Sequence, residues 1–206
     1  MPPNMDRETA RVEAFSDGVF GIAMTLLVIE IKVPSHELVA SQGLASALAA
    51  LWPSYLAFVT SFLTILVIWV HHHLVFALIG KDDHPFLYWN GLLLLCVTFV
   101  PFPTALLAEY LVHPEARLAA NLYTGTFLAI SLAFAALWRH ASAKLLAEDV
   151  SRAKRREAQQ ITRQYRFGAP LYLGAFGVSF VSEAWSIGLC FALAVFFALW
   201  RSPAAK

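Results

Sequence analysis

This chain of 206 residues has little charge: Lys, Arg, Asp and Glu make up 14% of it, against 59% hydrophobic residues, and the mean hydropathy is +0.62. That balance excludes an ordinary soluble domain. A net charge of +1 gives no reason to expect a nucleic-acid partner. Cysteine is scarcer still, at two residues. Cys96 and Cys190 each sit inside an apolar run without C-x-x-C spacing, so neither a disulfide framework nor a thiolate metal site is expected. The sequence also lacks G-x-S-x-G, a P-loop, H-E-x-x-H and any pair of carboxylates flanking a pocket. Enzymatic chemistry therefore has little to stand on, and no cofactor is expected.

Long apolar runs take the place of charge. Several exceed the roughly 18 residues that mark a candidate membrane-spanning helix, which predicts an all-α, polytopic membrane protein forming one domain over residues 1–206. Spans read near 12–31, 53–79, 85–110, 117–138, 167–181 and 183–200, six helices in all, with a basic loop over 139–166. The segment 36–52 is too polar at its start to span and reads as a short interfacial helix, and Pro53 suits the first turn of the helix that follows. Pro101 and Pro103 fall inside the third span and predict a kink there. Asp6, Arg7 and Glu8 precede the first run and no small-residue cleavage site follows it, so that run is expected to stay as a helix and not to be removed as a signal peptide.

The few charges are unevenly placed. With the N-terminus inside, the inner segments hold Arg7, Arg11, Lys81, Arg139, Lys144, Arg152, Lys154, Arg155, Arg156, Arg163, Arg166, Arg201 and Lys206, while Lys32 and Arg117 fall outside. The positive-inside rule then puts both termini and the stretch RAKRREAQQITRQYR in the cytoplasm, in a multi-pass protein of the cell membrane. That stretch reads as a helical extension bathed by water and anionic headgroups, not as a specific ligand site.

The candidate site lies in the first helix, RVEAFSDGVFGIAMTLLVIEIKVP from Arg11. At about 100° per residue, with Ile22 as zero, Arg11 falls near −20°, Phe15 near +20°, Leu26 near +40° and Ile29 near −20°. Thr25 sits about 60° from that stripe, and Ser16 and Asp17 lie about 120° and 140° to either side of it, toward neighbouring helices. An aspartate in or near hydrocarbon costs roughly 2.5–3.5 kcal/mol on insertion scales, so it needs a partner. Arg11, six residues earlier, is on the wrong face. The second span ends in WVHHHLVF, which brings His71, His72 and His73 to the depth of Asp17, and Trp89 and Asn90 begin the third span at the same level. A hydrogen-bonded cluster of Ser16, Asp17, one or more of the histidines and Asn90 is expected to pin the inner end of the first helix. The alternative, that Ser16 or Asp17 merely caps a helix start, is disfavoured because helical character begins at or before Arg11. Consecutive histidines diverge by about 100° and cannot all reach one ion from a regular helix, so no metal or haem site is expected.

The pattern Arg11-x-x-x-Phe15-Ser16-Asp17 resembles the R-x-x-x-FSD signature of the transmembrane protein 175 family of potassium channels. LWPSYLAFVTSFLTILVIWVHHHLVF and YWNGLLLLCVTFVPFPTALLAEY resemble the second and third helices of bacterial members, whereas the last three helices match in number and length alone. The resemblance implies a homotetramer of six-helix subunits in a lipid bilayer, with the first helices lining a central pore that passes potassium ions without a TVGYG filter. It also implies a constriction at Ile22, further pore-facing layers at Leu26 and Ile29, and a hydroxyl layer at Thr25 linked to selectivity. Arg11, Phe15, Ser16 and Asp17 would be architectural, with His72 or His73 beside Asp17. Without the resemblance, the apolar stripe would read as a plain packing face. A ring of four isoleucines can act as a dewetting gate, and stripping water favours potassium modestly over the more strongly hydrated sodium. Two rival functions stand beside this one. A proton or cation transporter with an Asp/His relay is disfavoured by the lack of internal repeats and midplane charges. A membrane enzyme or metal- or haem-binding protein is disfavoured by the histidine spacing.

Overall fold

The computed structural model describes residues 5–79, 82–146 and 152–199, so Lys81, Arg201 and Lys206, counted in the charge asymmetry, lie outside the described residues. The described residues are almost entirely helical: α1 (Met5–Ile29), α2 (His36–Gln42), α3 (Leu44–Ala50), α4 (Trp52–Leu78), α5 (His84–Phe99), α6 (Pro101–Tyr110), α7 (Ala116–Lys144), α8 (Arg152–Ser179) and α9 (Glu183–Leu199). Four stretches among them are long and apolar enough to cross a membrane: Glu8–Ile29, Trp52–Leu78, His84–Tyr110 and Ala116–Lys144. The apolar part of α8, Phe167–Ser179, and α9 are shorter. At 1.5 Å per residue they reach about 20 and 25 Å, less than the roughly 30 Å of a bilayer core.

Local sequence explains where the helices stop. Pro101 has no amide hydrogen to continue α5, so the helix breaks at Val100 and restarts with Pro101 in the first turn of α6, which turns the expected kink into a boundary. The interfacial helix expected over 36–52 is two short helices. Ser35 caps α2 by accepting from the Leu38 amide at 3.3 Å, and Gly43, at φ 83, makes the left-handed joint to α3. The basic loop expected over 139–166 is largely helix: α7 continues to Lys144, and α8 begins at Arg152 and runs unbroken through the basic residues. Arg, Ala, Gln and Glu are good helix formers, and nothing between positions 152 and 166 interrupts them.

Helix α7 is the central post. It packs on α5, α6, α8 and α9, while α1 packs on α4, α5 and α6. Tyr123, Phe127, Ile130, Phe134 and Leu137 of α7 are all buried, as are Ile65 of α4 and Leu93 and Val97 of α5. Lipid tails are as apolar as these side chains, so close packing and interhelical hydrogen bonds hold the bundle together. One such junction joins three helices: Ser61 Oγ of α4 lies 2.8 Å from Thr104 Oγ1 of α6 and 3.0 Å from Tyr123 OH of α7. At the bundle end that carries the α4–α5 connector, Ile79 and Leu146 form an isolated antiparallel bridge between that connector and the segment after α7.

Candidate functional site

Helix α1 has two unlike faces. Ser16, Phe20, Ala23 and Leu27 recur at helical spacing and are buried against the bundle. The opposite face is bare: Phe15 is 67% exposed, Ile22 60%, Leu26 41% and Ile29 63%. Arg11, Gly18 and Thr25 are exposed on the same side. The stripe expected from the wheel is therefore one face of α1, and no described helix of the subunit covers it. Thr25 Oγ1 donates to the Ile22 carbonyl at 2.8 Å, which satisfies its proton within the helix and leaves the oxygen lone pairs to face outward.

In the N-terminal half of α1 the expected polar residues divide into two systems. The first is buried and runs one way. Asn90 Oδ1 can only accept, so His72 Nε2–H donates to it at 2.8 Å. Asn90 Nδ2 then donates to Ser16 Oγ at 2.9 Å, and Ser16 Oγ donates to the Val12 carbonyl at 2.8 Å. Helices α4, α5 and α1 are thereby tied by side chains that are all buried. This order of donors puts the proton of His72 on Nε2. Its Nδ1 is buried without a protein partner among the described residues, and its ring packs between Phe20 and Phe76, with centroids 5.2 and 4.7 Å away.

The second system lies nearer the surface. Asp17 Oδ1 accepts from Trp69 Nε1–H at 2.8 Å, and His73 donates from Nδ1 to Glu13 at the same distance. The rings of Trp69 and His73, one turn apart on α4, stack at 6.4 Å. The partner of Asp17 is thus an indole and not the expected histidine, because α4 turns Trp69 toward α1 while His72 faces Asn90. Ser16 and Asp17 do not cap the helix, since α1 begins at Met5. The three histidines point three ways: His72 to Asn90, His73 to Glu13, and His71 into a cavity of about 50 Å³ beside Tyr172 and Phe197. Arg11 lines a cleft of about 710 Å³ between α1 and the start of α5, together with Phe15, Asp82 and Asp83.

Sequence reasoning missed Trp69, Glu13 and a third contact. Asp83 caps α5 by accepting from the Phe86 amide at 2.9 Å, and both its carboxylate oxygens accept from His140 Nε2–H of α7, at 2.8 and 2.9 Å. Desolvation works to raise the Asp83 carboxyl, but the Phe86 and His140 hydrogen bonds and the nearby His140 and Lys144 outweigh it and hold the group below the usual aspartate range. The cap was visible in the sequence as Asp83 before His84-Pro85; the His140 contact, 57 positions away, was not.

Residues 11–101, from the N-terminal half of α1 to the start of α6, match the family described as endosomal/lysosomal potassium channel TMEM175. Over 194 residues the chain is 62% identical to a potassium channel of Chamaesiphon minutus, covering 93% of this chain and 94% of that one. It is 51% identical over 134 residues to a potassium channel of Streptomyces collinus, covering 65% and 64%. Among solved structures it is similar to the crystal structure of a lysosomal potassium-selective channel TMEM175 homolog from Chamaesiphon minutus, with a TM-score of 0.87 and 60% identity over 96% of this chain and 100% of that one.

Proposed function

Since the chain belongs to the TMEM175 family, an all-helical family of multi-pass membrane channels, we propose that it is a potassium channel of the cell membrane, formed by four copies whose α1 helices surround a common axis. The observation that carries this reading is the bare apolar stripe of α1, in which Ile22, Leu26 and Ile29 stand exposed while the opposite face is packed into the bundle. Its edge suits a symmetric assembly. Ala14, Gly18, Gly21 and Thr25 fall together on the exposed side, and a Cβ added at Gly18 or Gly21 meets nothing within 4 Å in the subunit. Small residues at such spacing let helices of neighbouring copies approach closely.

In this assembly Ile22 forms the narrowest ring, an apolar constriction that an ion passes by shedding water. Leu26 and Ile29 form further layers, and the outward lone pairs of Thr25 offer partial compensation. Selectivity for potassium over sodium is modest because the barrier is dehydration and not a carbonyl cage. Phe15, bare in the subunit, packs against a neighbouring copy. The two hydrogen-bonded systems at the inner end hold α1 in place as architecture and do not themselves conduct. The apolar part of α8 and α9 complete six spans, and both chain ends face the cytoplasm, where the basic residues lie.

Flux through liposomes reconstituted with the purified protein tests the reading. Potassium should pass faster than sodium, and Ile22→Asn should raise total cation flux several-fold while bringing the two rates together. Equal potassium and sodium flux in the unaltered protein, or an Ile22→Asn variant indistinguishable from it, would sink the constriction.

A further inference from the structure

A cavity of about 50 Å³ lies where α4, α7, α8 and α9 meet, apart from the bare stripe of α1. Ile68 and His71 of α4 line it, while Trp69 and His73 of the same turns hold α1. None of the described residues of α1 belongs to its wall. Side-chain size explains why a void persists in an otherwise close-packed bundle. Gly168 of α8 and Ala194 of α9 are buried in the wall, and neither reaches far from its backbone. Phe127 and Phe134 of α7, Tyr172 of α8 and Phe197 of α9 supply rings to the same wall. A ring is rigid and turns about only two torsions, so it does not fold into a gap as a long flexible chain such as methionine does.

The chemistry of the wall narrows what fits. The surface facing the void is almost entirely carbon. A buried water needs about three hydrogen bonds, yet the proton of the Thr64 hydroxyl is already committed to the Thr60 carbonyl, at 2.7 Å. A charged or strongly polar molecule would lose its hydration there without a replacement. An apolar one instead restores the dispersion contacts that wall atoms forgo across an empty gap. The volume is about a third of the roughly 150 Å³ at which an apolar protein cavity takes benzene, so the occupant is smaller than benzene. Such molecules dissolve in hydrocarbon, and the α4 and α7 portions of the wall fall within the membrane-length stretches Trp52–Leu78 and Ala116–Lys144.

We propose that the cavity between α4, α7, α8 and α9 is a binding site for one small apolar molecule, of the class to which xenon, short alkanes and small halocarbons belong. The site is formed within one subunit and does not depend on the assembly proposed above.

Crystals of the full chain pressurised with xenon test it, because the anomalous scattering of xenon locates the atom directly. One xenon per subunit should appear among Phe127, Ile130, Tyr172 and Phe197. Gly168→Ala adds a single methyl group, whose nearest listed contact would be Ser131 Oγ at an ordinary 3.4 Å. It should leave the fold intact and lower the xenon affinity about four-fold, the worth of one methylene's contacts. Ala194→Leu should fill the space and abolish the signal; if that bulkier chain fails to fold, Gly168→Ala still decides. Xenon bound elsewhere with this cavity empty would overturn the proposal. So would ordered waters that xenon does not displace, which would make the cavity a hydration site. Continuous density for a lipid or detergent tail entering it would make it part of the lipid-facing surface and overturn the proposal as well. Equal xenon affinity in Gly168→Ala and the unaltered protein would also overturn it. Potassium flux is measured separately, and its absence alongside bound xenon counts against the channel reading and leaves this one standing.

Discussion

Asp17 and Trp69 form the pair most exposed to a single change. Trp69→Phe keeps the ring and removes the indole hydrogen, leaving the Asp17 carboxylate without its 2.8 Å donor. The variant should lose about 1–2 kcal/mol of stability, read as a lower melting temperature and less assembled channel, with the potassium-to-sodium flux ratio of the surviving channels unchanged. Asp17→Ala should behave alike. A well-assembled Asp17→Ala channel with altered ion preference would show that the carboxylate acts on ions and not on helix placement. The need for a partner at Asp17 was legible in the sequence, because a carboxylate in an apolar run must be satisfied. The identity of that partner was not. Tryptophan reads as an apolar body, and its single donor becomes visible only when the rotation of α4 about its axis is known. The same rotation separates His72 from His73, which differ by about 100° on the wheel. Ser16 and Asn90 were easier, since each is a short polar side chain at a depth the topology fixes.

Two helices carry further tests. At the start of α5, Asp83 both caps the helix and holds His140 of α7. A carboxyl held below its ordinary range stabilises the fold above that range, and this contribution is lost as the pH falls through the group's folded value. Asp83→Ala should therefore melt earlier than the unaltered protein at neutral pH, by the equivalent of about 1–2 kcal/mol for the lost cap and its partner. The gap should close as the pH drops below the ordinary aspartate range, and a gap independent of pH in thermal denaturation would refute the assignment. On α1, Gly18→Leu places a bulky side chain on the bare face where the subunit itself has room. It should leave the fold of the subunit intact by circular dichroism and break up the assembly on size-exclusion chromatography. Helix boundaries at prolines were legible because the missing amide is a local fact. The continuity of α8 was not: a run of polar helix formers carries no apolar period to mark it, and what holds it is the packing of α8 on α7, with Thr162 accepting from Trp138, a matter of tertiary packing.

Among the described residues the bundle packs α7 against α5, α6, α8 and α9, with Leu118 and Leu132 still exposed, and leaves one side of α1 open. Composition alone made membrane insertion legible, since 59% hydrophobic residues with 14% charged ones cannot be sorted into the core and surface of a water-soluble domain of this length. Which apolar face is lipid-covered and which meets a symmetry mate cannot be read that way, because both are equally oily. The orientation is testable without function. Epitope tags at the two chain ends should both resist protease in intact cells and both be cleaved once the inner side of the membrane is opened. Cleavage of either tag in intact cells would reverse the proposed topology.

The bridge between Ile79 and Leu146 bears on how such a protein can be handled. Two stretches 67 positions apart share one stitch, so lengthening either changes the tension on the other. A fluorescent module grafted between α4 and α5 would pull on the Asp83 cap and, through Asn90, on the seat of α1. The joint at Gly43, remote from that stitch, is the more forgiving place for such a graft.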